Sequence, residues 1–296
     1  MHLRQVWQLA KHAFVAWQED YAPSMGAALA YYTLFSIAPL LLIILAVAGF
    51  FFGPDAVRGE IFAQLSTLVG RHVAQAIEAL LASAARPAEG IIATIAGIVT
   101  MIIGATTAFA ELQNDLDRIW RAPAADKGGG LGSLVRSRLL SFGMILGIAF
   151  LMVVSLVFSA AAAALGKWWA PLFGGWRAIA YVMDIVVNLF VLTLLFAMIY
   201  KIMPRVKIRW HDVWIGAAVT ALLFTIGKVL IGLYIGRSGV ASAYGAAASL
   251  VVVMVWVYYS AQIFLLGAEF TWVYAHAYGS RSGRARERRM PANRSV

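Results

Sequence analysis

The chain contains no cysteine, which excludes disulfides, thiolate metal centres and thiol nucleophiles. Charge is scarce as well: 13% of residues are Asp, Glu, Lys or Arg, against about 25% in an ordinary soluble domain. Only five histidines occur, His2, His12, His72, His211 and His276. None stands in an H-E-x-x-H or similar spacing, so no metal site is expected. The G-x-S-x-G elbow and the P-loop are both missing. The Gly128–Gly129–Gly130 run has no strand before it to build a phosphate cradle, and a flexible loop is the better reading. These gaps point away from an enzyme, and no cofactor is expected.

What fills the chain instead is apolar: 62% of its 296 residues, where a soluble domain has roughly 45–50%. The apolar residues come in runs of twenty or more, too long for a soluble core pattern and long enough to cross a bilayer. The expected fold is all-α, a polytopic membrane protein with a bundle of six transmembrane helices plus amphipathic interfacial helices, in one domain over residues 1–278. Spans are expected at about 25–52, 90–110, 139–165, 178–200, 213–236 and 244–274. The first, Met25 to Phe52, has no charged side chain over 28 positions. At 1.5 Å per residue it reaches about 42 Å, beyond the roughly 30 Å hydrocarbon core, so it must tilt, bend or extend into the interface. Pro39 near its middle removes a backbone hydrogen bond and predicts a kink around Ser36–Pro39.

Two regions have amphipathic spacing. Residues 3–18 put Leu3, Val6, Trp7, Ala10, Phe14 and Trp17 on one helical face, as in a helix lying at a membrane surface. Asp20 and Pro23 interrupt it, and the charges spread through Met1–Asp20 do not suit a cleavable signal. Between residues 58 and 85, Ile61, Leu65, Leu68, Ile77, Leu80 and Leu81 recur at helical spacing, which predicts one or two helices, with Gly70 as the break, packed on the outer mouth of the bundle. A polar helical extension is expected over Ala110–Trp120.

The net charge is +10 and the pI about 10.0. In a soluble protein that would suggest nucleic acid; here no nucleic acid partner is expected, because basic loops on one side of a membrane explain it. Seventeen of the 24 Lys and Arg lie in the N-terminus, the second-to-third and fourth-to-fifth loops and the tail, and six in the alternate loops. That bias places both termini in the cytoplasm. Trp168, Trp169, Trp176, Trp210 and Trp214 fall at span ends, as an aromatic belt does. The basic tail, 279–296, has no apolar pattern and is expected to be disordered, with Arg284, Arg286, Arg288 and Arg289 near anionic head groups of membrane lipids. A homo-oligomer is left open.

Ionisable groups within a span are costly and therefore candidates for function. Lys228 lies near the middle of the fifth span, Asp184 and Asn188 share a face of the fourth, and Gln262 and Glu269 share a face of the last. Lys228 could meet Asp184 or Glu269 across a polar seam that lines a substrate path; the plainer alternative is a structural ion pair or snorkelling from span ends. A second group is Tyr31, Tyr32, Thr33, Ser36 and Pro39, where a proline-broken helix could bind a ligand or merely bend. The four-spaced small pairs Gly143 and Gly147, Gly104 and Ala108, Gly232 and Gly236, and Gly245 and Ser249 suit close helix packing.

Three stretches, Ala27–Leu42 (AALAYYTLFSIAPLLL), Glu111–Trp120 (ELQNDLDRIW) and Tyr244–Ala275 (YGAAASLVVVMVWVYYSAQIFLLGAEFTWVYA), together resemble the YihY/BrkB family of bacterial inner-membrane proteins over about residues 5–278. The resemblance implies six spans and singles out Tyr31, Pro39, Asn114, Trp120, Gly267 and Glu269 as motif positions. One branch of that family is linked to serum resistance, hence the term virulence factor, and another has been proposed to move lipid or lipopolysaccharide precursors. The name ribonuclease BN, once attached to the family, gains no support from this sequence, which offers neither metal ligands nor an acid–base pair. The leading expectation is a transporter or flippase-like protein for an envelope lipid or other amphiphile; the alternative is a non-transporting scaffold for envelope proteins. Six spans starting inside also permit a three-plus-three inverted repeat, though no internal sequence repeat supports one.

The charge bias generates a direct test. Reporter fusions at residue 1 and residue 296 should both report the cytoplasm; opposite sides for the two ends would overturn the six-span reading.

Overall fold

The computed structural model describes residues 3–84, 107–123, 176–237, 244 and 247–282. Their regular secondary structure is helical, and no strand occurs among the described residues. Helix α1 is Leu3–Glu19, α2 Ala22–Phe52, α3 Pro54–Val69 and α4 Arg71–Ala84. Helix α5 covers residues 107–119, followed by α6 Trp176–Ile202, α7 Trp210–Arg237 and α8 Ala248–Ala277. The expected spans at 90–110 and 139–165 fall almost wholly outside the described residues, as do Gly128–Gly130, Gly104, Gly143, Gly147 and Arg284, Arg286, Arg288 and Arg289 of the tail.

Three helical stretches are long and apolar enough to cross a membrane: Ile185–Ile202 within α6, α7 and α8. Each lies where a span was expected, within a few residues. Helix α2 is a single helix of 31 residues, and its helical assignment runs unbroken through Pro39. The outer amphipathic region is two helices, broken at Gly70 as its spacing suggested. Gly53 and Gly70 take φ of 86° and 89°, a region where a Cβ clashes with the backbone. They start and stop α3, with Pro54 fixing its first turn.

Helix α8 is the hub and packs on α7, α2, α1 and α4, while α6 packs on α7. Two apolar clusters flank it along its length. In one, Val253 and Val257 of α8 meet Ala30 and Leu41 of α2, Val73 and Ile77 of α4, and Ile231 and Ile235 of α7. In the other, Phe264, Leu265 and Ala268 meet Met25 of α2, Leu116 and Trp120 around the end of α5, Phe196 and Tyr200 of α6, and Ala217 and Ala221 of α7.

Backbone closeness between α7 and α8 comes from glycine. A Cβ at Gly267 would overlap Thr220 and stand 2.7 Å from the Tyr200 hydroxyl, and one at Gly216 would overlap Thr271. Small residues let helices approach where lipid provides no hydrophobic drive for association. The polar atoms at this contact are all satisfied. Tyr200 donates to the Phe264 carbonyl at 2.7 Å and meets the Thr220 hydroxyl at 3.1 Å; Thr220 and Thr271 donate to their own helices at Gly216 and Gly267. The expected Gly232–Gly236 pair is not the contact that does this. Among the described residues nothing lies within 4 Å of a Cβ at Gly232, and only His72 comes near Gly236.

Helix α1 has two apolar faces. Leu9 and Ala13 are buried against Val273 and Tyr274 of α8, on a stripe that continues through Ala16 to Asp20. Val6, Trp7 and Phe14, assigned to the membrane face from spacing, are exposed, in keeping with an interfacial helix.

Substituting Gly267→Ala should destabilise the fold by about 1–3 kcal/mol through overpacking. Gly232→Ala, where no described residue lies within 4 Å of the added Cβ, should be neutral or stabilise by up to about 1 kcal/mol through helix propensity. Thermal unfolding in detergent distinguishes them, and equal midpoints would contradict this packing register.

Candidate functional site

Between Ser260 and Thr271, helix α8 carries two polar side chains, Gln262 and Glu269, two turns apart on one face of an otherwise apolar stretch. Glu269 is 1% exposed, and neither of its oxygens has a hydrogen-bond donor among the described residues. Neither the oxygen nor the nitrogen of the Gln262 amide finds a hydrogen-bond partner there either. The amide nitrogen comes against Gly26 of α2, where a Cβ would overlap it. Orphaned buried polar atoms cost about 1–3 kcal/mol each, more for a charge. They persist where something else uses them.

The surroundings of Glu269 come from two chain reversals. The first joins α1 to α2. Tyr21 there has φ of 58°, and the bend sets Glu19 and Asp20 beside the Glu269 carboxyl. The second ends α5. Arg121 has φ of 50°, and its N–H bonds back to Arg118 at 3.0 Å while that of Ala122 reaches Asp117 at 2.8 Å. That is a Schellman motif with arginine where glycine is usual. Tyr21 and Arg121 are the two non-glycine residues with positive φ among those described, and the left-handed conformation costs each roughly 1–2 kcal/mol. Both strained turns meet at the same carboxyl. Arg121 provides its cation and lies 4.9 Å over the Trp272 ring, while Arg118 lies 5.8 Å over Tyr21.

Neighbouring groups brace this corner. Gln113 donates to the Met203 carbonyl at 3.0 Å. Asp117 accepts from the Arg205 amide at 2.7 Å and pairs with its guanidinium at 3.4 Å, which ties α5 to the α6–α7 turn. Asp212, buried in the first turn of α7, accepts from the Ser280 hydroxyl at 2.5 Å and from its amide, which sews the end of α8 to the start of α7. Asp115 on α5 is buried with one oxygen unpartnered among the described residues. Loss of water pushes its carboxyl up to about 7, with Glu111 adding to the effect and Arg118 opposing it.

The other sequence candidates lie elsewhere. Tyr31 is exposed and packs edge-on with Tyr32 and Phe35. Ser36 is buried and donates to the Tyr32 carbonyl of its own helix at 2.7 Å. Asn188 is half-buried on α6, while the side chains of Pro39 and Asp184 lie outside the description. Lys228 is half-buried and already engaged in a polar contact. The α7–α8 register sets its level relative to Glu269. Gly216 against Thr271 and Thr220 against Gly267 put Glu269 level with Ala218, and Lys228 stands ten residues further along α7, about 15 Å away. Asp20 and Arg121 were missed from sequence because each reads locally as a helix end. The one local signal is a carboxylate pair, Glu19–Asp20, at the end of a helix, where the helix dipole disfavours it.

Comparison with known proteins extends the sequence resemblance. The family model described as Virulence factor BrkB matches residues 13–291. The chain is 29% identical over 269 residues to a UPF0761 membrane protein of Ralstonia nicotianae, covering 88% of this chain and 57% of that protein. It is 28% identical over 280 residues to a UPF0761 membrane protein of Tolumonas auensis, covering 92% and 87%. A UPF0761 membrane protein of Pseudomonas aeruginosa is 27% identical over 263 residues, with 87% and 59% covered. The chain thus spans less than two thirds of some relatives and most of others. No solved structure matches it. With a family model covering nearly the whole chain and relatives named as membrane proteins, this chain belongs to the virulence factor BrkB family of membrane proteins.

Proposed function

We propose that the chain is a transporter or flippase-like protein for an envelope lipid or other amphiphile, seated in the bacterial inner membrane with both termini in the cytoplasm. The observation that carries this reading is the Gln262–Glu269 face of α8. Its buried amide and carboxyl atoms lack hydrogen-bond partners among the described residues, in a helix long and apolar enough to cross a membrane. Polar groups in hydrocarbon mark substrate or ion paths when their neighbours leave them unsatisfied. The route would start at Glu269 and pass Gln262 beside Gly26. It would continue toward Tyr31 and Ser36 on α2, with Asn188 and Lys228 lining its far side. The chain shows no ATP-binding motif, so an ion gradient or the lipid's own distribution would drive movement. The family's designation as a virulence factor suits a role at the cell envelope.

A scaffold for envelope proteins is the second reading, favoured by the tight glycine–threonine contacts between α7 and α8. Those contacts lie on a different face from the orphaned polar atoms, which a purely static bundle does not account for.

Purified protein reconstituted in vesicles should speed the flip of labelled phospholipid above the rate of empty vesicles. Gln262→Leu should slow it by up to about tenfold, the equivalent of one hydrogen bond of 0.5–1.5 kcal/mol. Vesicle rates identical with and without protein would remove phospholipid movement and favour the scaffold. Lys228→Met adds a second decision: an unchanged rate takes that residue off the route.

A further inference from the structure

Glu269 lies one turn from Val273 on the part of α8 that takes Leu9 and Ala13 of α1, and Asp20, on the same stripe of α1, is a near electrostatic neighbour of its carboxyl. Glu269 is all but inaccessible and receives no N–H or O–H from any described residue. Two carboxyl groups can bond to each other only with a proton between them, because two carboxylates are both acceptors and repel. We infer that Glu269 and Asp20 form a proton-binding site that latches α1 onto α8.

The charges around it support a proton over a metal. Glu19 and Asp20 approach from α1 and Arg121 from the end of α5. Helix α2 contributes no charged side chain. On α7 the nearest ionisable groups, His211 and Asp212, sit at the helix start against Tyr274 and Ser280. His276, two turns along α8, bonds to the Trp272 carbonyl. Glutamate and aspartate here are short of the ligand number a divalent ion requires, and no metal-holding group of three such side chains occurs among the described residues. Arg121 balances one negative charge. With the shared proton present, the Glu269–Asp20 pair and Arg121 cancel and only the exposed Glu19 is left over; without it, a second buried carboxylate pushes against Asp20 and α1 is driven off. Because α1 also exposes Trp7 and Phe14, its release would move an interfacial helix relative to the bundle. A role as the coupling ion for movement of an amphiphile rests on the transport reading, whereas proton binding does not.

The native chain has no cysteine, so Ala10→Cys on α1 and Ala277→Cys on α8, both at exposed positions, accept spin labels uniquely. Distances between the labels, measured on the full chain in lipid nanodiscs, should show one short population at acid pH. As pH rises a longer population should appear, the open-to-closed ratio growing about tenfold per pH unit through the transition, as release of one proton requires. Glu269→Gln should hold the short distance at every pH. Asp20→Asn should do the same, and it decides alone if the first variant does not fold. A distance independent of pH in the native background, or an identical pH response in the variants, overturns the proton site. No transported substrate enters this measurement, so its outcome is separate from that of the vesicle assay.

Discussion

The close approach of α7 and α8 is the contact on which the rest of the described structure depends. Gly216 and Gly267 remove the side chains that would hold the two backbones apart, and Thr271 and Thr220 fill the space from the opposite helix. In hydrocarbon no hydrophobic force brings two greasy helices together, so this dispersion contact and its satisfied hydroxyls must do so. Tyr200 then carries α6 into the same point through the Phe264 carbonyl and Thr220. Once α7 and α8 are in register, the level of every polar residue on α8 is set. Glu269 arrives at the corner formed by the α1–α2 reversal and the end of α5, not beside Lys228.

That corner is where the chain departs from low-energy local structure. Tyr21 and Arg121 adopt a conformation that glycine would adopt more cheaply. Arg121 in return sets a guanidinium over the Trp272 ring, near enough to the Glu269 carboxyl to oppose its charge. Strain of this kind persists where the surrounding structure over-determines the residue. Asp117 holding Arg205 and Asp212 holding Ser280 supply that over-determination, since they fix the neighbouring turns from two further directions. Buried charge, non-glycine strain and orphaned polar atoms thus converge on one place, while the opposite end of α8 packs as plain aliphatic core.

Much of the architecture was legible in the residue order. The limits of α6, α7 and α8, the break at Gly70 and the helix α1 all lie where hydropathy, glycine and spacing put them. Glu269 and Gln262 could be singled out as polar groups on one face. Lys228 stood out because, on a single helix, a central lysine is the most conspicuous feature; its neighbours are decided by other helices. The small-residue pattern shows a related limit. Gly232 and Gly236 have the spacing that permits close packing, yet the described contacts fall at Gly26, Gly216, Gly227 and Gly267, whose opposing residues belong to distant parts of the chain.

The sequence alone determined which segments form long apolar helices and where they end, because hydropathy, helix propensity and the breaking action of glycine act between residues near in the chain. Only tertiary structure decided that Glu269 sits with Asp20 and Arg121 and without Lys228. Those residues come together through the register of helices packed side by side, and that register is set by which glycine meets which threonine, a property of the assembled surface that no single segment contains.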